Sequence, residues 1–192
     1  MAHGSASATG GQLLEELRGD VADVDGAIRS HRFLAGLEAP RVPEGRLRAF
    51  AGEQLAIVTS DRRSFAFLAA RFPAGPAGDF FLSMADGEGQ ALSLLDGFAG
   101  WLDMGPDDLL AYEPRAGAQA YPAFVAWLAL NGSRADVVLA FLANLAAWGT
   151  NCGRVAAALR DRYGAEEGGG CILRLLRDAA AGVRGACPGG GR

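Results

Sequence analysis

The residues of this chain with the means to do chemistry are a few polar and aromatic side chains set into otherwise apolar helical stretches. Gln54 and Asp61 lie seven residues apart, two turns of helix. Both therefore share the stripe that carries Leu47, Phe50, Val58, Phe65 and Leu68. A carboxylate on such a stripe is a candidate general base, because burial moves its pKa toward neutrality. Its plainer reading is a hydrogen bond across to another helix. Glu53 points away from this stripe, and becomes the carboxylate that counts if the buried face is displaced by one residue. Asn144 sits in a segment running from Val137 to Ala147 with almost no polar face. An amide buried there costs roughly 2–7 kcal/mol unless it is hydrogen-bonded, so it should turn inward and meet a ligand or a neighbouring helix. Tyr121 and Trp148 offer flat faces for a planar heterocycle and polar edges for a bond, although aromatics at helical spacing also serve as plain core.

Several chemistries are excluded or weakened. The chain has no lysine, so neither a lysine Schiff base nor a lysine general base is available. His31 is the only histidine outside the opening segment and reads as a hydrogen-bonded helix residue. The Glu-x-x-His spacing of helical di-iron sites is absent, and no metal or other cofactor is expected. Cys152, Cys171 and Cys187 form an odd set without metal-type spacing, which favours reduced thiols in a cytoplasm. The glycine runs lack the lysine and strand-to-helix setting of a phosphate loop. A net charge of −4 with interspersed signs argues against nucleic acid as a partner. No run of about 18 residues is free of polar groups, so no membrane span is expected.

The elements that must position these residues are all helical. A chain of 192 residues suits one domain with a substantial core. The expected limits are a helical domain over 12–185 flanked by disordered tails at 1–11 and 186–192. Leu13 to Leu37 reads as one long helix or two abutting ones. A second runs from Pro43 to about Phe72, where Pro73 ends it. A loop over Pro73 to Gly78 leads to a third helical region, from about Asp79 to Leu102, which Gly87 and Gly89 are placed to split. Pro106 opens a short helix. Asn131-Gly132 then ends the Tyr121 helix with a pair that tolerates left-handed backbone, and Ser133 with Asp136 forms a capping box for the next. A final helix is expected over Ile172 to Val183.

The order of features in AYPAFVAWLALNGS, followed by an acidic residue and a long apolar helix, resembles the thiaminase II (TenA) family of the haem-oxygenase-like all-helical superfamily. The stretch SHRFLAGLEAPRVPEGRLRAF is similar to that family's opening His-Pro-Phe helix and second helix, with Arg32 in place of the proline. The resemblance spans about Ala27 to Gly164. It implies an all-α TenA/PqqC-like bundle with a small-molecule cavity, and it suggests a homo-oligomer. Aligned without gaps, the family's active-site cysteine falls on Asn144, an inner-helix tyrosine on Trp148 and a second-helix aspartate on Gln54, while another pocket tyrosine is retained as Tyr121.

The function expected from these readings is a TenA-like protein that binds a planar, nitrogen-containing metabolite and acts on it without metal, in cofactor salvage or specialised metabolism. Asp61 or Glu53 would move a proton, Gln54 and Asn144 would orient the substrate, and Tyr121 and Trp148 would hold it. The alternatives are a non-catalytic ligand sensor or interaction protein and, third, a thiamin or aminopyrimidine hydrolase.

Overall fold

The computed structural model describes residues 9–165, with backbone alone at 145 and 146, and every regular element in that range is an α-helix. The order is α1 (Gly10–Asp20), α2 (Ala22–Arg29), α3 (Arg32–Glu38), α4 (Glu44–Arg71), α5 (Gly75–Trp101), α6 (Pro106–Leu110), α7 (Ala116–Asn131) and α8 (Arg134–Tyr163). The expected final helix, Ile172 to Val183, and the expected tail at 186–192 lie outside the described residues.

The amino-terminal third departs from expectation in an instructive way. It forms three short helices, of which α1 and α3 are opened by side-chain caps. Thr9 and Gln12 make a reciprocal capping box, so α1 already begins at Gly10, inside the stretch expected to be a tail. The His31 imidazole Nδ1 accepts from the Phe33 amide at 3.3 Å and caps α3, which gives this histidine a structural role.

The longer helices follow the sequence more closely. α4 starts behind Pro43 and ends before Pro73, as its prolines require. α5 starts earlier than expected because Pro76 occupies its first turn, where a missing N–H costs nothing. It also runs unbroken through Gly87 and Gly89. Gly89 is useful there, since a Cβ on it would lie 3.1 Å from the Arg62 guanidinium. Gly132 adopts extended backbone, not the left-handed form expected. Glycine is needed for space instead: a Cβ would meet the Leu128 carbonyl oxygen at 2.8 Å. Ser133 and Asp136 form the expected capping box of α8, and left-handed Gly164 ends that helix.

Two apolar clusters hold the bundle together. One joins Leu37 of α3, Leu47 and Ala51 of α4, Leu95 and Phe98 of α5 with Cys152 and Leu159 of α8. The other joins Phe65 and Leu68 of α4, Phe81 of α5, Val125 and Leu128 of α7 with Val137 and Phe141 of α8. Each long helix thus gives one half to each cluster, and its middle crosses the seam between them. α8 has the length and composition to cross a bilayer. Here it buries Cys152, Ala158 and Leu159 within the protein and packs against α1, α2 and α3.

Candidate functional site

Asp61 lies at that seam, between Val58 and Phe65 of α4, and is 3% exposed. Its Oδ1 is buried with no hydrogen-bond partner. Loss of hydration pushes the carboxyl up to about 7, and the nearby Tyr121 hydroxyl of α7 opposes that rise by favouring the ionised form. Glu88 crosses the seam from α5, between Phe81 and Leu95. Burial pushes it up to about 8, and the Asp61 charge adds to the rise. Two carboxyl groups so placed resist ionising together, so the pair retains a proton around neutral pH. The Tyr121 hydroxyl is held well above its ordinary range by burial first and then by Asp61 and Glu88, so it remains a proton donor to its neighbours. Tyr121 as a whole residue is 44% exposed, while its hydroxyl end is desolvated.

α8 supplies the fourth wall. The Cys152 thiol is buried and pushed up to about 12, chiefly by desolvation, with the Glu88 charge adding to it. It therefore stays protonated and is a poor nucleophile. In the preceding position, Asn151 carries a buried Oδ1 that also lacks a hydrogen-bond partner. Orphaned buried oxygens are rare enough to mark a place where a ligand or water belongs. The seam thus holds a proton-bearing carboxyl pair and a phenol. Such a set can accept a proton from one atom of a bound molecule and return it to another. Among the described residues, no three His, Cys, Asp or Glu side chains come together to ligate a metal ion.

The residues singled out in the sequence separate into three places. Asp61 and Tyr121 come together. Glu53 does not face them: its carboxylate accepts from the Tyr112 hydroxyl at 2.8 Å, the Arg115 amide at 3.0 Å and the Gln119 side-chain nitrogen at 3.3 Å. Three donors make it a tie between α4 and the segment leading into α7, and leave it little capacity as a base. Asn144 is exposed, not inward as expected, and lines a separate groove formed by α1, α2 and α8. It lies eight residues from Cys152 on α8, about 12 Å along the axis. Gln54 is half-buried on α4, and Trp148 is exposed on α8, one turn before Cys152 and on its side of the helix.

Glu88 and Asn151 were missed in the sequence. For Glu88 the signal was there: Phe81, Met84, Glu88, Ala91 and Leu95 recur at helical spacing, so this carboxylate interrupts an apolar stripe just as Asp61 does. Gly87 and Gly89 flank Glu88, and glycines inside a helix carry the opposing signal of a break. Asn151 had no comparable signal, since its neighbours on α8 are mixed in character.

The all-helical architecture is consistent with a haem-oxygenase-like fold. The chain belongs to the TENA/THI-4/PQQC family, whose model matches residues 21–168. The structure of the TenA homologue protein from P. horikoshii OT3 superposes with a TM-score of 0.65 at 18% sequence identity, covering 92% of this chain and 86% of that one. At that identity the likeness speaks for the fold. No curated protein matches the chain in sequence.

Proposed function

We propose that this TenA-like protein binds a planar N-heterocyclic metabolite at the α4–α5–α7–α8 seam and moves a proton on it without metal. The observation that carries the reading is the Asp61 carboxyl, buried with one oxygen unpartnered beside Glu88 and Tyr121. A protonated or amino-bearing ring nitrogen is the natural complement of that oxygen, because it donates the hydrogen bond the protein withholds. Asp61 takes the proton, Glu88 holds the second one, and the Tyr121 hydroxyl fixes the carboxyl. Trp148 and the Tyr121 ring are offered as stacking surfaces, and Gln54 as an orienting amide. Asn144 and Glu53 are not assigned to this chemistry. The setting is cytoplasmic, in keeping with a free Cys152, and the working form is a homo-oligomer, which the exposed apolar face of α7 supports.

The test uses thiamin and its aminopyrimidine fragments as probes, with calorimetry for binding and product release for turnover, on the full chain and on Asp61→Asn. Binding that weakens at least tenfold in the variant, with an unchanged circular dichroism spectrum, supports the seam as the site. Equal binding by both proteins would place the ligand elsewhere. If neither probe binds and native mass spectrometry of freshly purified protein shows no retained small molecule, a non-catalytic role takes precedence.

A further inference from the structure

α1 and α2 lie on the first half of α8, and the groove between them is open to solvent with a volume of about 630 Å³. One wall is a single stripe, Leu13, Leu17, Val21, Val24 and Ile28, which passes through the joint between the two helices at Val21. The other wall is Leu139, Ala140 and Ala143 of α8. Neither α1 nor α2 buries a single residue fully, and Val24 is 61% exposed. A stripe of this length left open to water is the mark of an interaction surface.

The charge of the groove says what covers it. Glu16, Asp20, Asp25 and Asp136 line it from both walls, and none of its described lining residues is basic. Asp25 is engaged by Arg29 at 2.8 Å, and Asp136 accepts from the Ser133 amide at 2.8 Å. Glu16 and Asp20 stand one turn apart on α1 and make no ion pair among the described residues, while Arg18 between them pairs with Glu15 at 2.8 Å. Asp20 is also the last residue of α1, where the helix dipole disfavours a carboxylate. A cation placed there relieves both the helix end and the like-charge neighbour. A second copy of this groove is the wrong occupant, since two-fold pairing sets the carboxylates against one another. The open α7 face carries no charged residue over Ala116–Asn131 and makes no such demand.

From Asp136 to Asn144 the groove follows α8 for eight residues, about 12 Å. The α1–α2 wall is longer, so about two to three turns of a docked helix fit against it. An apolar strip of that length is read by side chains at helical spacing, and acids beside it select the charge of the flanks. We propose that the groove formed by α1, α2 and α8 is the docking site for a basic amphipathic helix of a partner protein. Its apolar face seats against Leu17, Val24 and Leu139, and its lysines or arginines meet Glu16 and Asp20.

The probe is a synthetic peptide of about 14 residues, long enough for the groove, with leucine and lysine at helical spacing. Two controls carry glutamate in place of each lysine or serine in place of each leucine. Fluorescence anisotropy against the full-length protein should show the leucine–lysine peptide binding at least about tenfold more tightly than either control. Hydrogen exchange in the complex should slow in α1, α2 and 136–144 and stay unchanged in α7. Glu16→Arg combined with Asp20→Arg should weaken binding at least about tenfold and favour the glutamate peptide instead. Val24→Arg, at an exposed position that the fold does not need, should weaken it as well. The proposal is overturned if the leucine–lysine peptide does not bind, if the serine control binds equally and charge alone is at work, if protection falls on α7, or if affinity survives both variants. It is also overturned if α1 and α2 are protected in the free protein and lose that protection on dilution, which would make a second copy the occupant.

Discussion

Asp61 and Glu88 both carry folded-state pKa values above their ordinary ones, about 7 and about 8, and this fixes the sign of their effect on stability. The native state holds protons that the unfolded chain releases. Their contribution is therefore most favourable below about pH 4 and declines as pH rises toward 7–8. Asp61→Asn removes its share of that decline. Urea unfolding across a pH series should show the variant gaining on wild type by roughly 2 kcal/mol or more between about pH 5 and pH 8. Parallel curves would mean that Asp61 is hydrated and ordinary. Glu53 makes the contrasting case: Glu53→Ala leaves the Tyr112 hydroxyl, the Arg115 amide and Gln119 without their acceptor. It should cost about 3 kcal/mol while the Asp61-dependent pH difference persists. In the sequence the two carboxylates lie eight positions apart on one helix, Asp61 on the apolar stripe and Glu53 off it unless the buried face is displaced by one residue. What separates them is the neighbour each meets from α5, α6 or α7, which no periodicity within α4 encodes.

Glycines show at the scale of the element what the sequence could and could not disclose. Helix ends were legible wherever the signal was local, as with Pro43, Pro73 and Ser133. The glycines inside helices were ambiguous, since the same residue marks either a break or a close approach. Gly87 has nothing within 4 Å of a built Cβ, whereas a Cβ on Gly78 would lie 2.8 Å from the Phe72 and Pro73 carbonyl oxygens, and one on Gly52 2.3 Å from the Tyr112 ring. Gly87→Ala should therefore stabilise the protein by up to about 1 kcal/mol through helix propensity alone. Gly78→Ala should destabilise it by about 1–3 kcal/mol, because the backbone it meets cannot turn aside. Thermal unfolding of the two variants decides the matter. If both shift in the same direction, α5 does not enter its first turn against Phe72 and Pro73.

At the scale of the whole molecule, α7 is the element whose surroundings are least accounted for within one chain. Its inner side packs Val125, Leu128 and Ala129 into the second core cluster, and the Arg71 guanidinium donates to the Ala129 carbonyl at 2.8 Å. Its outer side presents Phe124, 57% exposed, Trp127, with its ring stacked at 7° to that of Phe124, and Leu130, 64% exposed. Tyr121 lies at the near end of the same row, so this face begins beside the carboxyl pair of the seam. A row of large apolar side chains left open to water marks an interaction surface, and rigid aromatics are the residues that anchor interfaces. Pairing through α7 would cover the Tyr121 ring and complete the outer wall of the site. Sedimentation at tens of micromolar should give a species heavier than a monomer, and Trp127→Glu should return it to monomer without loss of helicity. If ligand binding at the seam weakens along with the assembly, the partner copy contributes to the site. If wild type sediments as a monomer, the α7 face is open in the working protein and the seam must hold its ligand within one chain.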